Sequence, residues 1–120
     1  MRRRNDAVYL RHILDAVERI EQYTAGMTEQ QFLQNSLVQD AVVRQLEIIG
    51  EASRNLSDEL RQKHSQVPWT KIVGMRNRIV HAYFDVDLTI VWEIIQRDLP
   101  DLKAQVHLIL QALGEPYGEV

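Results

Sequence analysis

The 120-residue sequence predicts an all-α fold, a bundle of four to five main helices, and three observations carry that prediction. Helix breakers are scarce, with 5 glycines and 3 prolines in the whole chain. Apolar residues recur three and four positions apart, the spacing that lines one face of an α-helix. No run alternates with period two for long, and no Asn-Gly or Asp-Gly pair marks a hairpin.

The elements follow in order. A first helix is expected from about Asp6 to Tyr23, capped by Asn5 or Asp6, with Val8, Ile13, Val17 and Ile20 on its buried side. Thr28 opens a short helical turn in "MTEQQFL". A second long helix covers roughly Leu37 to Leu56, where Val38, Val42, Leu46, Ile49 and Leu56 share one stripe. Ser57 is the N-cap of another short helix containing Leu60. Pro68 ends what precedes it, and a helix is expected from about Thr70 to near Ala82. Asp87 caps the next helix, Pro100 marks a kink or the first turn of a new one, and Gly114 and Pro116 stop it. With no linker, repeat or low-complexity stretch, residues 1–120 read as a single domain.

Composition narrows the function classes. Hydrophobic residues make up 45% and charged residues 26%, which suits a soluble globular chain and argues against disorder. No apolar run approaches the ~18 residues of a membrane helix, so no membrane partner is expected. The start "MRRRNDAVYLRHIL" is too interrupted by polar residues for a secretory signal. There is no cysteine, so disulfides, thiolate metal sites and cysteine nucleophiles are excluded. Together these features predict a cytoplasmic protein. The net charge of −3 gives no global basic field, so contact with RNA would need a local patch.

The stretch "MRNRIVHAY", residues 75–83, carries the chemistry. On a helical wheel Ile72, Met75, Ile79 and Ala82 share an arc, and Arg76 falls near its middle. If the helix persists, Tyr83 stands almost directly above Arg76, while Asn77 and His81 share another side with Gly74. A guanidinium on an apolar arc breaks the local pattern, and such conflicts mark functional sites. His81 near a helix C-terminus would be favoured as a cation. An arginine that neutralises charge on phosphate oxygens and a histidine that moves protons suit chemistry on a phosphodiester. No His/Asp spacing suggests a metal site and no cofactor is implied, so the RNA's own 2′-hydroxyl would be the nucleophile. Arg76 and His81 lie roughly 140° apart on an ideal helix and do not converge on one phosphate from a single helix; a two-fold dimer is one arrangement that would assemble a composite cleft.

Plainer readings stand beside these. Arg76 can lay its stem over apolar surface or pair with a glutamate. His81 can be structural, Tyr83 a core tyrosine with its hydroxyl outward, and Asn77 a surface amide. Glu47 and Glu51 read as a solvated like-charged pair, with a smaller weight on lining a cleft or meeting a basic partner. Trp69 and Trp92 read as core anchors, and His12, His64 and His107 as surface or packing residues.

"RNRIVHAY" fits R-x4-H-x-Y, and with "QLEIIGEA" at 45–52, "VPWTKIVGMRNRIVHAYFDVD" at 67–87 and "VWEIIQRDLPDL" at 91–102 the chain resembles the HEPN-domain proteins. It is similar in particular to the HepT-like toxins of the MntA–HepT toxin–antitoxin systems. The resemblance implies a single homodimeric HEPN domain over 1–120 and a metal-independent endoribonuclease. In it Arg76 and His81 are the catalytic pair and Asn77 supports them. It also implies a nucleotidyltransferase antitoxin that AMPylates Tyr83. The alternatives are a non-catalytic helical regulatory or nucleotide-binding subunit of such a nucleotidyltransferase, and a plain dimerisation module.

Overall fold

A computed structural model describes residues 6–81 and 85–114, and of His81 the backbone only. Two 19-residue helices form its spine: α1, Asp6–Thr24, and α3, Ser36–Arg54. Between them lies α2, Glu29–Leu33, held by a capping box in which Thr28 Oγ1 accepts from Gln31 N and Gln31 Oε1 accepts from Thr28 N. Asn35 caps α3 by accepting from Val38 N at 3.1 Å. The short helix α4, Asp58–Lys63, starts at Ser57 as expected, the hydroxyl oxygen accepting from Leu60 N.

Asp6 does more than begin α1. Its carboxylate is buried and accepts from Ser57 N at 2.9 Å and from Ser57 Oγ at 2.7 Å. The start of α1 is thereby fastened to Ser57, three residues beyond the end of α3, and the two long helices run antiparallel.

The stretch expected as one helix to near Ala82 is broken twice. Helix α5, Trp69–Val73, ends at Gly74, and α6, Met75–Ile79, ends at Val80, whose φ of −102° and ψ of 120° are extended. Strand β1, Val80–His81, then pairs antiparallel with β2, Asp85–Val86, placing Val80 opposite Val86 and His81 opposite Asp85. The β-branched pair Val80/Val86 favours this over another turn of helix, and Asp87 N seals the hairpin by donating to Ile79 O at 2.6 Å. Residues 82–84, Tyr83 among them, lie outside the described residues.

Asp87 caps α7, Leu88–Glu93, as expected, accepting from Ile90 N. The helix continues through a π turn, Ile94–Asp98, into α8, Leu99–Ala112, and Leu99 N donates to Ile94 O, five residues back. Pro100 sits in the first turn of α8. It cannot donate, and its ring would crowd the carbonyl four residues earlier in a regular helix, so the wider turn relieves it. Gly114, at φ 80°, ends the rod.

The core runs the length of these rods. Leu10, Ile13, Val17 and Ile20 of α1, Val42, Leu46 and Ile49 of α3 and Val106 and Ile109 of α8 are almost fully buried, with Phe32, Ile79 and Ile94 between them. Val8, expected on the buried side of α1, is instead exposed. Trp69 is buried and donates from Nε1 to His64 O, while half-buried Trp92 packs on Phe32 with ring centroids 5.3 Å apart. The all-α expectation holds, with the two-residue hairpin added. No helix among the described residues is long and apolar enough to cross a membrane.

Candidate active site

The site is placed by the close approach of α5 and α6 to α3. Gly50 permits it: a Cβ there would stand 3.2 Å from Ile72 O and 3.5 Å from Val73 O. The carbonyls ending α5 thus rest almost on the backbone of α3, as only glycine allows without displacement. Gly74 has a different role. Among the described residues, a Cβ there would meet only Thr70 O and Lys71 O of the preceding turn, so Gly74 serves the break between helices.

With α6 only five residues long, Met75 and Ile79 go into the core and Arg76 and Asn77 are exposed. Arg76 is therefore not in the middle of an apolar face. The wheel extended that face through residues that leave the helix. Its guanidinium reaches α3, where Nη1 donates to Glu47 Oε2 at 3.1 Å, and Arg44 Nη1 approaches Glu47 Oε1 at 3.9 Å. One carboxylate thus lies between two guanidiniums. The Arg76 side chain remains 64% exposed, so the pair is solvent-screened and the guanidinium is accessible to an incoming anion. Next to it Arg78 is committed elsewhere, donating to Asp98 Oδ2 at 2.9 Å.

A cleft of about 470 Å³ opens beside Arg76. Helix α3 forms its floor with Glu47, Gly50, Glu51 and Arg54, and Tyr9 and His12 of α1 form the far wall. Glu51 faces Arg54 at 3.8 Å. Glu47 and Glu51 are thus both cleft residues with arginine partners, the reading that the sequence weighted less. Local spacing could not reveal the Glu47–Arg76 contact, which joins residues 29 apart.

His81 is on a strand rather than on the helix of Arg76. The wheel angle between them, the wheel placements of Asn77 and Tyr83, and the helix-end argument for a protonated imidazole all lapse. In their place, the chain turns from helix to hairpin between Arg76 and His81, so R-x4-H spans a corner. Among the described residues no group of three or more histidines and carboxylates is placed to hold a metal ion.

The family model described as Ribonuclease HepT-like matches residues 13–109. The chain is 42% identical over 113 residues to "Gamma-glutamylcyclotransferase and putative RNase" of Methanocaldococcus jannaschii. That match covers 94% of this chain and 51% of the relative, so the chain spans about half that protein's length. It is 46% identical over 103 residues to a "Putative RNase" of Caldanaerobacter subterraneus subsp. tengcongensis, covering 86% of this chain and 92% of the relative. It is 39% identical over 103 residues to the "Probable ribonuclease HepT" of Thermococcus cleftensis, covering 86% and 94%. No solved structure matches the chain.

Proposed function

Because the chain belongs to the HepT-like ribonuclease family, we propose that it is an endoribonuclease, working without a metal, whose substrate phosphate is received by Arg76. The observation that carries this reading is the placing of Arg76: an accessible guanidinium at the lip of a cleft, aimed by Glu47. In the reaction the 2′-hydroxyl of the RNA loses its proton and its oxygen attacks the adjacent phosphorus. The bond to the 5′-oxygen breaks, that oxygen takes up a proton, and a 2′,3′-cyclic phosphate remains. Arg76 offsets the charge that grows on the phosphate oxygens. His81 moves one of the two protons, and Asn77, exposed one residue from Arg76, supports the pair. Two protons and a single histidine in the R-x4-H motif of each chain favour a homodimer whose sites share a cleft.

Within this reading the protein is the toxin of a toxin–antitoxin pair and acts in the cytoplasm. A nucleotidyltransferase partner silences it by transferring AMP from ATP to Tyr83. The AMP phosphate is an anion of the kind that Arg76 receives from RNA, and it competes with substrate for that guanidinium.

The test is cleavage of single-stranded RNA by purified protein in chelator. Cleavage should persist and leave a 2′,3′-cyclic phosphate or its hydrolysis product. Arg76→Ala should slow it by about 10²–10³-fold. His81→Ala should slow it by about 10²–10⁴-fold, with the helical circular-dichroism spectrum retained. Equal cleavage of 2′-deoxy substrate would reject the mechanism. Nucleotide binding without any cleavage would favour the regulatory-subunit reading instead. Mixed Arg76→Ala and His81→Ala subunits should recover some activity if one phosphate is served by two chains. Tyr83→Phe should keep activity and show no AMP mass increase with the partner and ATP.

A further inference from the structure

The cleft has a second end that the chemistry above leaves unused. Because Asp6 is bonded to Ser57, the beginning of α1 lies beside the end of α3, and Tyr9 and His12 wall the part of the cleft that holds Glu51, Arg54 and Asn55. The two rings meet edge to face, centroids 6.0 Å apart and planes at 86°. Arg54 is 60% exposed and only loosely held, 3.8 Å from Glu51. Arg44 and Arg76 stand around Glu47 at the opposite end. Arg44 and Arg54 are separated by ten residues of one helix, roughly 15 Å along its axis.

We infer that the Tyr9–His12–Arg54 end is a subsite for the nucleotide next to the scissile phosphate, the base lying against the aromatic pair and the flanking phosphate on Arg54. This rests on the ribonuclease reading and extends it to substrate form. One phosphate cannot serve both ends, so the ligand must carry at least two phosphates with a nucleoside between them. An aromatic wall accepts any base, because every base has a π-face, and requires that the base be unstacked. The guanidinium fork suits a phosphate. Glu47 and Glu51 repel an anion that sinks to the floor, so phosphates are held at the rim by the outer guanidiniums and a single mononucleotide is held weakly. The substrate class is therefore single-stranded RNA with little sequence preference at this position.

The experiment uses a fluorescent 2′-O-methyl RNA tetranucleotide, which cannot be cleaved, and follows anisotropy across a salt series. His12→Ala and Tyr9→Leu should each weaken binding about five- to a hundredfold, the effect of losing one base–aromatic contact. Arg54→Gln should also lower the slope of log affinity against log salt by about 0.7, one single-strand phosphate contact. His12 and Arg54 are exposed, so their variants keep the fold, and half-buried Tyr9 retains an apolar side chain as leucine; circular dichroism checks all three. With cleavable RNA, KM should rise and kcat change little. If all three variants bind like wild type while RNA is still cleaved, the subsite is overturned and the ribonuclease reading stands. If the variants lose binding but the wild type cuts nothing, the subsite stands and the ribonuclease reading falls. Oligomers that dissociate in Arg54→Gln, with oligonucleotide binding unchanged, would make this end a protein contact and overturn the proposal.

Discussion

Replacing Asp6 by alanine removes two acceptors from one point in the fold. Both oxygens are engaged, at 2.9 Å to Ser57 N and 2.7 Å to Ser57 Oγ, in a place that is 5% exposed. A hydrogen bond to a charged group contributes about 1.5–3 kcal/mol, and the donors left behind carry a desolvation cost. The two bonds share one serine and do not add fully, so the expected loss is about 2–4 kcal/mol. For a chain of this size that lowers the melting temperature by on the order of 10 °C. Asp6→Asn keeps one acceptor oxygen and should lose about half as much. The assay is urea denaturation followed by tryptophan fluorescence, run as a double-mutant cycle with Ser57→Ala. A coupling of at least ~1 kcal/mol is expected. Coupling below ~0.5 kcal/mol would show that the Ser57 hydroxyl bond does not fasten α1 to α3, and a loss below ~0.5 kcal/mol in Asp6→Ala itself would show the same of both bonds. The variant should also bind oligonucleotide more weakly, since Tyr9 and His12 follow Asp6 within two turns.

Gly50→Ala gains about 1 kcal/mol of helix propensity against a tight contact with Ile72 O, so its stability should stay within ~1 kcal/mol of wild type. Gly50→Val should lose about 1–3 kcal/mol in the same denaturation assay and should cleave poorly, because α6 is pushed from α3 and Arg76 from Glu47. Wild-type stability in Gly50→Val would refute the close packing. His107 and His64 are both held below their ordinary 6.5, first by burial and then by the neighbouring Lys103 and Lys63, Glu18 and Glu21 partly opposing this at His107. Each favours the neutral ring in the fold, so its contribution is fully present above pH 6.5 and is lost as pH falls through the lowered value. The melting temperature should fall between pH 7 and 5, and His107→Gln should flatten that fall; an unchanged slope would remove His107 as a cause.

What the sequence made legible is what neighbours in the chain decide. Thr28, Ser57 and Asp87 each bond a backbone N–H three residues on, so their caps were predictable from spacing alone. Asp6 was legible as a cap position, but its partner lies 51 residues away. The break at Gly74 and the turn into β1 were missed because apolar spacing continues through "IVHAY" whatever the backbone does. Gly74 and the β-branched Val80 were the available signals, and pairing with Val86 decided between them. For the site, Arg76 was singled out for a conflict that the short α6 dissolves. Its true setting, opposite Glu47, follows from Gly50 and could not be read from either segment alone.

The π turn has a consequence for changes in chain length. Val91, Ile94, Ile95, Leu99, Leu102, Val106 and Ile109 are all buried, and the bond from Leu99 N to Ile94 O, five residues back, closes a turn one residue longer than a regular α-helical turn. Deleting one residue between Ile94 and Leu99 would leave an unbroken helical stripe and a regular α-helix, with Lys103 still facing Glu21. A deletion elsewhere in the rod would instead rotate everything beyond it by roughly 100°. The regular helix would then meet the ring of Pro100, which the wider turn now accommodates. The extra residue and the proline thus form one unit of change, and a shortened chain should fold well only when the proline is replaced at the same time.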